Sequence, residues 1–302
     1  MLYLIILLNC WVFSMKIGLN TWTVTGFRYR GVPGLKEILK IASEAGYDGV
    51  EFTFDANLLH PDKITREIRR ELLETAKSYN LVFPSVATGV FWRYNLGSPD
   101  ESVRKTGEEF VIKGLELARD LKARVLLVVP AVAKPEIPYD KLYETSVKTL
   151  KKLSKKAEDV GVIIGVENVW NKFLYSPLEF RRFLEDIGSE YVKAYFDVGN
   201  VVNLGYIENW IDLIGDLIAM VHVKDFDVNV GNIYGFRHVG RGSIDWKMVI
   251  TKLKEVGYDD FLNAECPPEF YPDLKEPKIP EDGIRAARDN AKALREIFEK
   301  YY

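Results

Sequence analysis

The chain has 302 residues, of which 47% are hydrophobic and 28% charged, with a formal net charge of -3 from 41 basic and 44 acidic residues. This suits an ordinary globular protein with one large core, and no stretch is basic enough to track a phosphate backbone, which argues against a nucleic-acid binder. Cys10 and Cys266 are the only cysteines, which excludes a disulfide framework and a Cys-built zinc site and fits a reducing cytosol.

The first 14 residues, MLYLIILLNCWVFS, form an apolar run too short to span a bilayer. They lack the basic n-region and small-x-small cleavage site of a secretory signal. Residues 1–14 therefore read as a hydrophobic extension or an upstream-start artefact. Residues 15–302 read as the folded domain, cytoplasmic and not membrane-bound. The absence of glutamine beside abundant charge fits a thermophilic source.

Short β-rich runs then alternate with amphipathic stretches. The predicted strands are KIGLNTW (16–22), GVEFTF (49–54), VFPSVAT (82–88), RVLLVVP (124–130), VIIGVEN (162–168), VKAYFDVGN (192–200), IAMVHVKD (218–225) and FLNAEC (261–266). Each is apolar on both faces, as strands between a barrel interior and a helical shell must be. Between them, Leu35, Ile38, Leu39 and Ala42 share one helical face. Gly46, Gly161 and Gly257 stand where left-handed helix caps are favoured, and Pro177 follows Ser176 as a first helical residue after its cap. Eight strand–helix repeats predict a single (β/α)8 barrel. GLNTWTVTG holds no GxGxxG, so a dinucleotide-binding open sheet is disfavoured.

Chemistry in such barrels sits at the C-terminal ends of the strands. Glu167, Asp197, His222 and Glu265 occupy those ends on predicted strands five to eight, inside otherwise apolar runs. Buried carboxylates need compensation, and one divalent cation compensates three of them while fixing a neutral imidazole. Three oxygens and one nitrogen suit Mn²⁺ first, with Mg²⁺ or Co²⁺ as alternatives. Zn²⁺ would more often recruit further His or Cys. Taken singly, a strand-end Glu reads as one half of an ion pair and His222 as a hydrogen-bonded core histidine. As a set they read as a metal site.

VIIGVENVWN, KAYFDVGN, VHVKDF, FLNAEC and FRHVGRGSIDW together resemble the motifs of the xylose isomerase-like superfamily. Within it the chain is most similar to D-tagatose 3-epimerase-type ketose epimerases and L-ribulose-5-phosphate 3-epimerases, over nearly all of 15–300. The resemblance implies that Glu167, Asp197, His222 and Glu265 hold the metal and that Glu167 and Glu265 double as the acid–base pair. It implies a ketose 3-epimerase acting on a sugar or sugar phosphate, with aldose–ketose isomerisation open to the same site. Barrels of this group often associate, so a homo-oligomer is admitted. An inosose-dehydratase-like lyase and a non-catalytic sugar-binding barrel are the alternatives. Endonuclease IV shares the barrel, but three histidines in the whole chain cannot build its three-zinc cluster.

Asn200, Lys224, Arg237 and Trp22 are the expected substrate contacts. Asn200 stands where some relatives carry histidine, and Arg237 matches an arginine of the phosphorylated-sugar branch. Trp22, Phe54, Trp92 and Trp170 are candidates for an apolar wall, and loop 226–240 for a cover over the substrate. Glu51 reads either as a contact to a sugar hydroxyl or as an ion pair with a neighbouring base. His60 and His238 are assigned no metal role.

Overall fold

The computed structural model describes residues 15–26 and 34–302. The hydrophobic extension 1–14, with Cys10, lies outside the described residues.

The expected eight strands form a closed parallel barrel. They are β1 (Lys16–Asn20), β2 (Gly49–Phe54), β3 (Ser85–Thr88), β4 (Val125–Val128), β5 (Ile163–Glu167), β6 (Val192–Asp197), β7 (Ile218–Val223) and, last, β10 (Phe261–Ala264). The ring order is β1-β10-β7-β6-β5-β4-β3-β2, so the first and last strands make the seam. Strands β8 (Asp225–Phe226) and β9 (Phe236–Arg237) form a separate antiparallel pair inside the loop after β7. Around the ring lie helices α1 (Trp22–Thr25), α2 (Leu35–Ala45), α3 (Arg66–Ser78), α4 (Glu101–Asp120), α5 (Tyr139–Val160), α6 (Pro177–Ile187), α7 (Val198–Val201), α8 (Ile207–Ile214), α9 (Trp246–Glu255) and α10 (Glu281–Tyr301).

Strand positions match the expectation, and several ends do not. The chain leaves β1 at Asn20 and turns through α1, so Trp22 is helical rather than strand. Past β6 the chain coils at once into α7, because Asp197 caps it by accepting a hydrogen bond from the Asn200 amide (2.9 Å). Gly46, Gly161 and Gly257 adopt φ of 86°, 69° and 78°, the left-handed geometry expected of them. Ser176 precedes α6 as predicted but makes no side-chain cap bond.

Two apolar layers result. The helices cover the outer strand faces in one large cluster, while Ala87, Val125, Leu127, Tyr195, Met220 and Phe261 fill the barrel interior. Room for these large inward side chains comes from inward glycines. A Cβ on Gly165 would stand 2.7 Å from Val125 Cγ1 and 3.0 Å from the Tyr195 ring, and one on Gly49 would stand 2.8 Å from the Phe261 ring. The barrel is thus plugged at its base by apolar side chains, and its inward polar groups gather toward the C-terminal half.

Candidate metal centre and active site

Strand alternation aims the rim residues inward. Tyr195 and Asp197 are two apart on β6 and share a face, as do Met220 and His222 on β7. Asp197 pairs in register with His222, and His222 with Asn263, which sets Glu265 one turn of the pleat above. Thr23 of α1 then brackets Glu265: its Oγ1 donates to the Ala264 carbonyl (2.7 Å) and accepts from the Cys266 amide (2.9 Å). Asn168 clamps Asp197 in the same manner, accepting from its N–H (2.8 Å) and donating to its carbonyl (2.9 Å).

The four expected ligands converge. Their ligating atoms all lie within 4.8 Å of one another. His222 Nδ1 is buried without a hydrogen-bond partner and faces Glu167 Oε1 at 3.6 Å and Asp197 Oδ2 and Glu265 Oε2 at 3.8 Å each. Two ligands bound ~2.1 Å from one small divalent cation lie at most ~4.2 Å apart, so little motion would bring these atoms to a shared ion. The orphaned nitrogen among three carboxylates fits a cation with mixed oxygen and nitrogen preference. On the far side of the ring, Nε2 meets the Glu51 carboxylate at 2.5 Å. Of the two roles weighed for Glu51, the structure therefore selects the pairing, with His222 as the base.

Lys224 threads into the same cluster. Its Nζ donates to Asp197 Oδ2 and to Glu265 Oε2 (2.5 Å), and its side chain is 5% exposed. Burial opposes the ammonium charge, but Asp197, Glu265 and Glu167 together hold its pKa above the ordinary lysine value. The lysine passes over Gly199, where a Cβ would stand 2.5 Å from Lys224 Cγ and 2.8 Å from its carbonyl oxygen. Gly199→Ala is therefore expected to destabilise the fold by roughly 1–3 kcal/mol through overpacking, read by denaturant unfolding; unchanged stability would show that Lys224 yields freely.

Burial pushes the Glu167 carboxyl up to about 7, reinforced by the Glu265 and Asp197 charges and opposed by His222. In metal-free protein Glu167 is thus protonated below that value, and a cation must displace the proton. Divalent-metal affinity should weaken as pH falls through about 7 and level off above it. The stability sign follows: a raised carboxyl pKa stabilises the fold fully below the ordinary value of 4.5, and that contribution disappears as pH rises through about 7. Calorimetric metal titrations from pH 5.5 to 8.5 check this, and a flat affinity profile would contradict it.

Above the cluster opens a cavity of about 570 Å³, floored by Glu167, Glu265, Lys224 and Asn200 and walled by Trp22, Trp92, Trp170, Phe236 and Phe270. Three of the four expected wall aromatics are there. Phe54 is instead buried, its ring 6.4 Å from that of Phe110. Of the expected substrate contacts, Trp22, Asn200 and Lys224 line the cavity and Arg237 does not. The Arg237 guanidinium is held inside its own loop by the Tyr234 and Phe236 carbonyls and by Asp227 at 3.2 Å. Loop 226–240 does reach the cavity, through Ile233 and Phe236. The GRGSIDW stretch serves this loop: buried Asp225 accepts from the Gly240 and Ile244 amides and from Trp246 Nε1. His60 and His238 lie outside the cluster, His238 Nδ1 accepting from the Asn290 side-chain amide at 2.8 Å. Among the described residues no helix is long and apolar enough to cross a membrane.

A family model described as xylose isomerase-like TIM barrel matches residues 39–297. The chain belongs to this family. Among curated relatives, L-ribulose-5-phosphate 3-epimerase UlaE of Escherichia coli O157:H7 is 26% identical over 235 residues, 74% of this chain and 78% of that protein. The D-psicose 3-epimerase of Clostridium cellulolyticum H10, solved with D-tagatose, superposes with a TM-score of 0.77 at 20% identity, covering 94% of this chain and 99% of that one. The IolI protein solved with a zinc atom gives the same TM-score at 21% identity, covering 95% and 99%. At these identities the two solved structures speak for the xylose isomerase-like fold.

Proposed function

We propose that this xylose isomerase-like barrel is a divalent-metal-dependent ketose epimerase of the 3-epimerase type, acting on a sugar or sugar phosphate. The observation that carries the reading is the pair Glu167 and Glu265, three strands apart around the ring, both flooring one cavity beside the unpartnered His222 Nδ1. Similarity to a protein named L-ribulose-5-phosphate 3-epimerase supports the substrate class.

Glu167, Asp197, His222 and Glu265 would hold the cation, with Mn²⁺ first among the candidates. When bound, it supplies Lewis-acid stabilisation of the negative charge that develops when a proton leaves the carbon beside a ketone. The chain's own groups do the rest. One of Glu167 and Glu265 takes the proton from one face of that carbon, and the other returns a proton from the opposite face, inverting it. Trp22, Trp92, Trp170 and Phe236 exclude water and pack the apolar faces of the sugar. Asn200 and Lys224 meet its hydroxyls, while Arg237 shapes the covering loop.

The test incubates the Mn²⁺-loaded protein with phosphorylated and free ketoses in D₂O. Deuterium at the inverted carbon is the expected result. No exchange across the panel would sink the epimerase reading, and a dehydrated product would replace it with a lyase.

A further inference from the structure

Six polar side chains meet inside the barrel directly beneath the ligand cluster. They are Asn20, Glu51, Ser85, Tyr195, His222 and Asn263, from β1, β2, β3, β6, β7 and β10, and all are fully buried. Glu51 is their centre. Its Oε1 receives the Ser85 hydroxyl (2.8 Å) and the Tyr195 hydroxyl, and its Oε2 receives the Asn20 amide (2.6 Å) and faces His222 Nε2 (2.5 Å). Asn263 Nδ2 donates to both Ser85 Oγ (3.0 Å) and the Tyr195 oxygen (2.8 Å). Those two oxygens already accept, so their own hydrogens are directed at Glu51. The Asn263 side chain has room because residue 18 is glycine; a Cβ there would stand 1.8 Å from Asn263 Oδ1.

Three donors besides the imidazole thus converge on the two oxygens of Glu51, which suits an ionised carboxylate that can only accept. The hydrogen on the 2.5 Å contact then belongs to His222 Nε2. An imidazole that donates through Nε2 presents an Nδ1 lone pair, and Nδ1 is the atom that faces Glu167, Asp197 and Glu265. Apart from His222's contact with the ligand cluster, this network touches neither cavity nor solvent: none of the six lines the cavity above.

We infer that Glu51 is the positioning residue of the metal centre, fixing the tautomer and ring orientation of His222 through a hydrogen-bonded layer that spans the barrel. The inference rests on the metal-binding reading of the ligand cluster.

Mn²⁺ titration of wild type, Glu51→Gln and Tyr195→Phe tests it without recourse to turnover. A glutamine amide turned toward the ring would donate to Nε2 and move the imidazole hydrogen to Nδ1, against the cation. Glu51→Gln should weaken Mn²⁺ binding by roughly 10–100-fold. Tyr195→Phe keeps the carboxylate and should fall between Glu51→Gln and wild type. The second measurement needs no variant. The chain has three histidines, so imidazole ¹⁵N NMR of the Zn²⁺-loaded wild type resolves each ring, and His222 should carry its hydrogen on Nε2 alone. Wild-type Mn²⁺ affinity in Glu51→Gln, or a hydrogen on His222 Nδ1 in the loaded protein, overturns the role of Glu51. Failure of wild type itself to bind Mn²⁺ or Zn²⁺ removes instead the metal reading on which it stands.

Discussion

Glu265→Gln is expected to lower turnover about 10²–10⁴-fold, the usual span for losing one positioned acid–base group, or roughly 3–5 kcal/mol of barrel-bound barrier lowering. The amide keeps the size of the side chain and one carbonyl oxygen able to ligate, so the site should still take up Mn²⁺. It cannot cycle a proton at working pH. Its backbone placement is independent of the carboxylate, because Thr23 holds the flanking Ala264 and Cys266 main-chain groups. The deuterium-exchange assay and Mn²⁺ calorimetry read the two effects separately. Retained exchange would remove Glu265 from proton transfer, whereas lost metal uptake would make it chiefly a ligand.

Lys224→Met should have the largest effect on stability. Its ammonium is the buried counter-charge to Asp197 and Glu265, whose side chains are 0% and 8% exposed. Removing one partner from such a group leaves uncompensated buried charge, at a cost of about 3–5 kcal/mol. Methionine preserves the stem that passes over Gly199. A divalent cation in the ligand cluster would supply the missing positive charge, so saturating Mn²⁺ should recover much of the loss. Denaturant unfolding with chelator and with Mn²⁺ measures both states. Equal destabilisation in the two would mean that lysine and metal do not share the same carboxylates.

The fold was legible because parallel barrel strands, covered on both sides, read as apolar runs separated by helical periodicity, and all eight runs became strands. Their ends were less legible. Trp22 and Val198–Val201 continue apolar runs, yet local capping by Asp197 and the turn after Asn20 bend them into short helices. The four ligands stood out as polar residues at apolar strand ends. Glu51, Ser85 and Asn263 are polar in apolar runs too, but they lie at strand starts or middles, where no rule of barrel chemistry singles them out, and Asn20, although it ends β1, is turned into the same layer. Only the register places them in one layer. Arg237 shows the converse: its place in the chain raises the expectation of a substrate contact, while the turn that brings Asp227 beside it decides where the guanidinium goes.

The Thr23 bracket ties together residues 241 and 243 positions apart, across the β1–β10 seam. It works as a clasp between the first and last strands of the barrel. A nascent chain emerging from the ribosome would present β1 first among the barrel strands and residues 264–266 with the last of them. Glu265, the carboxylate proposed for proton transfer, is therefore set only when the last barrel strand fastens against the first, so the proposed site is completed by the same step that closes the ring.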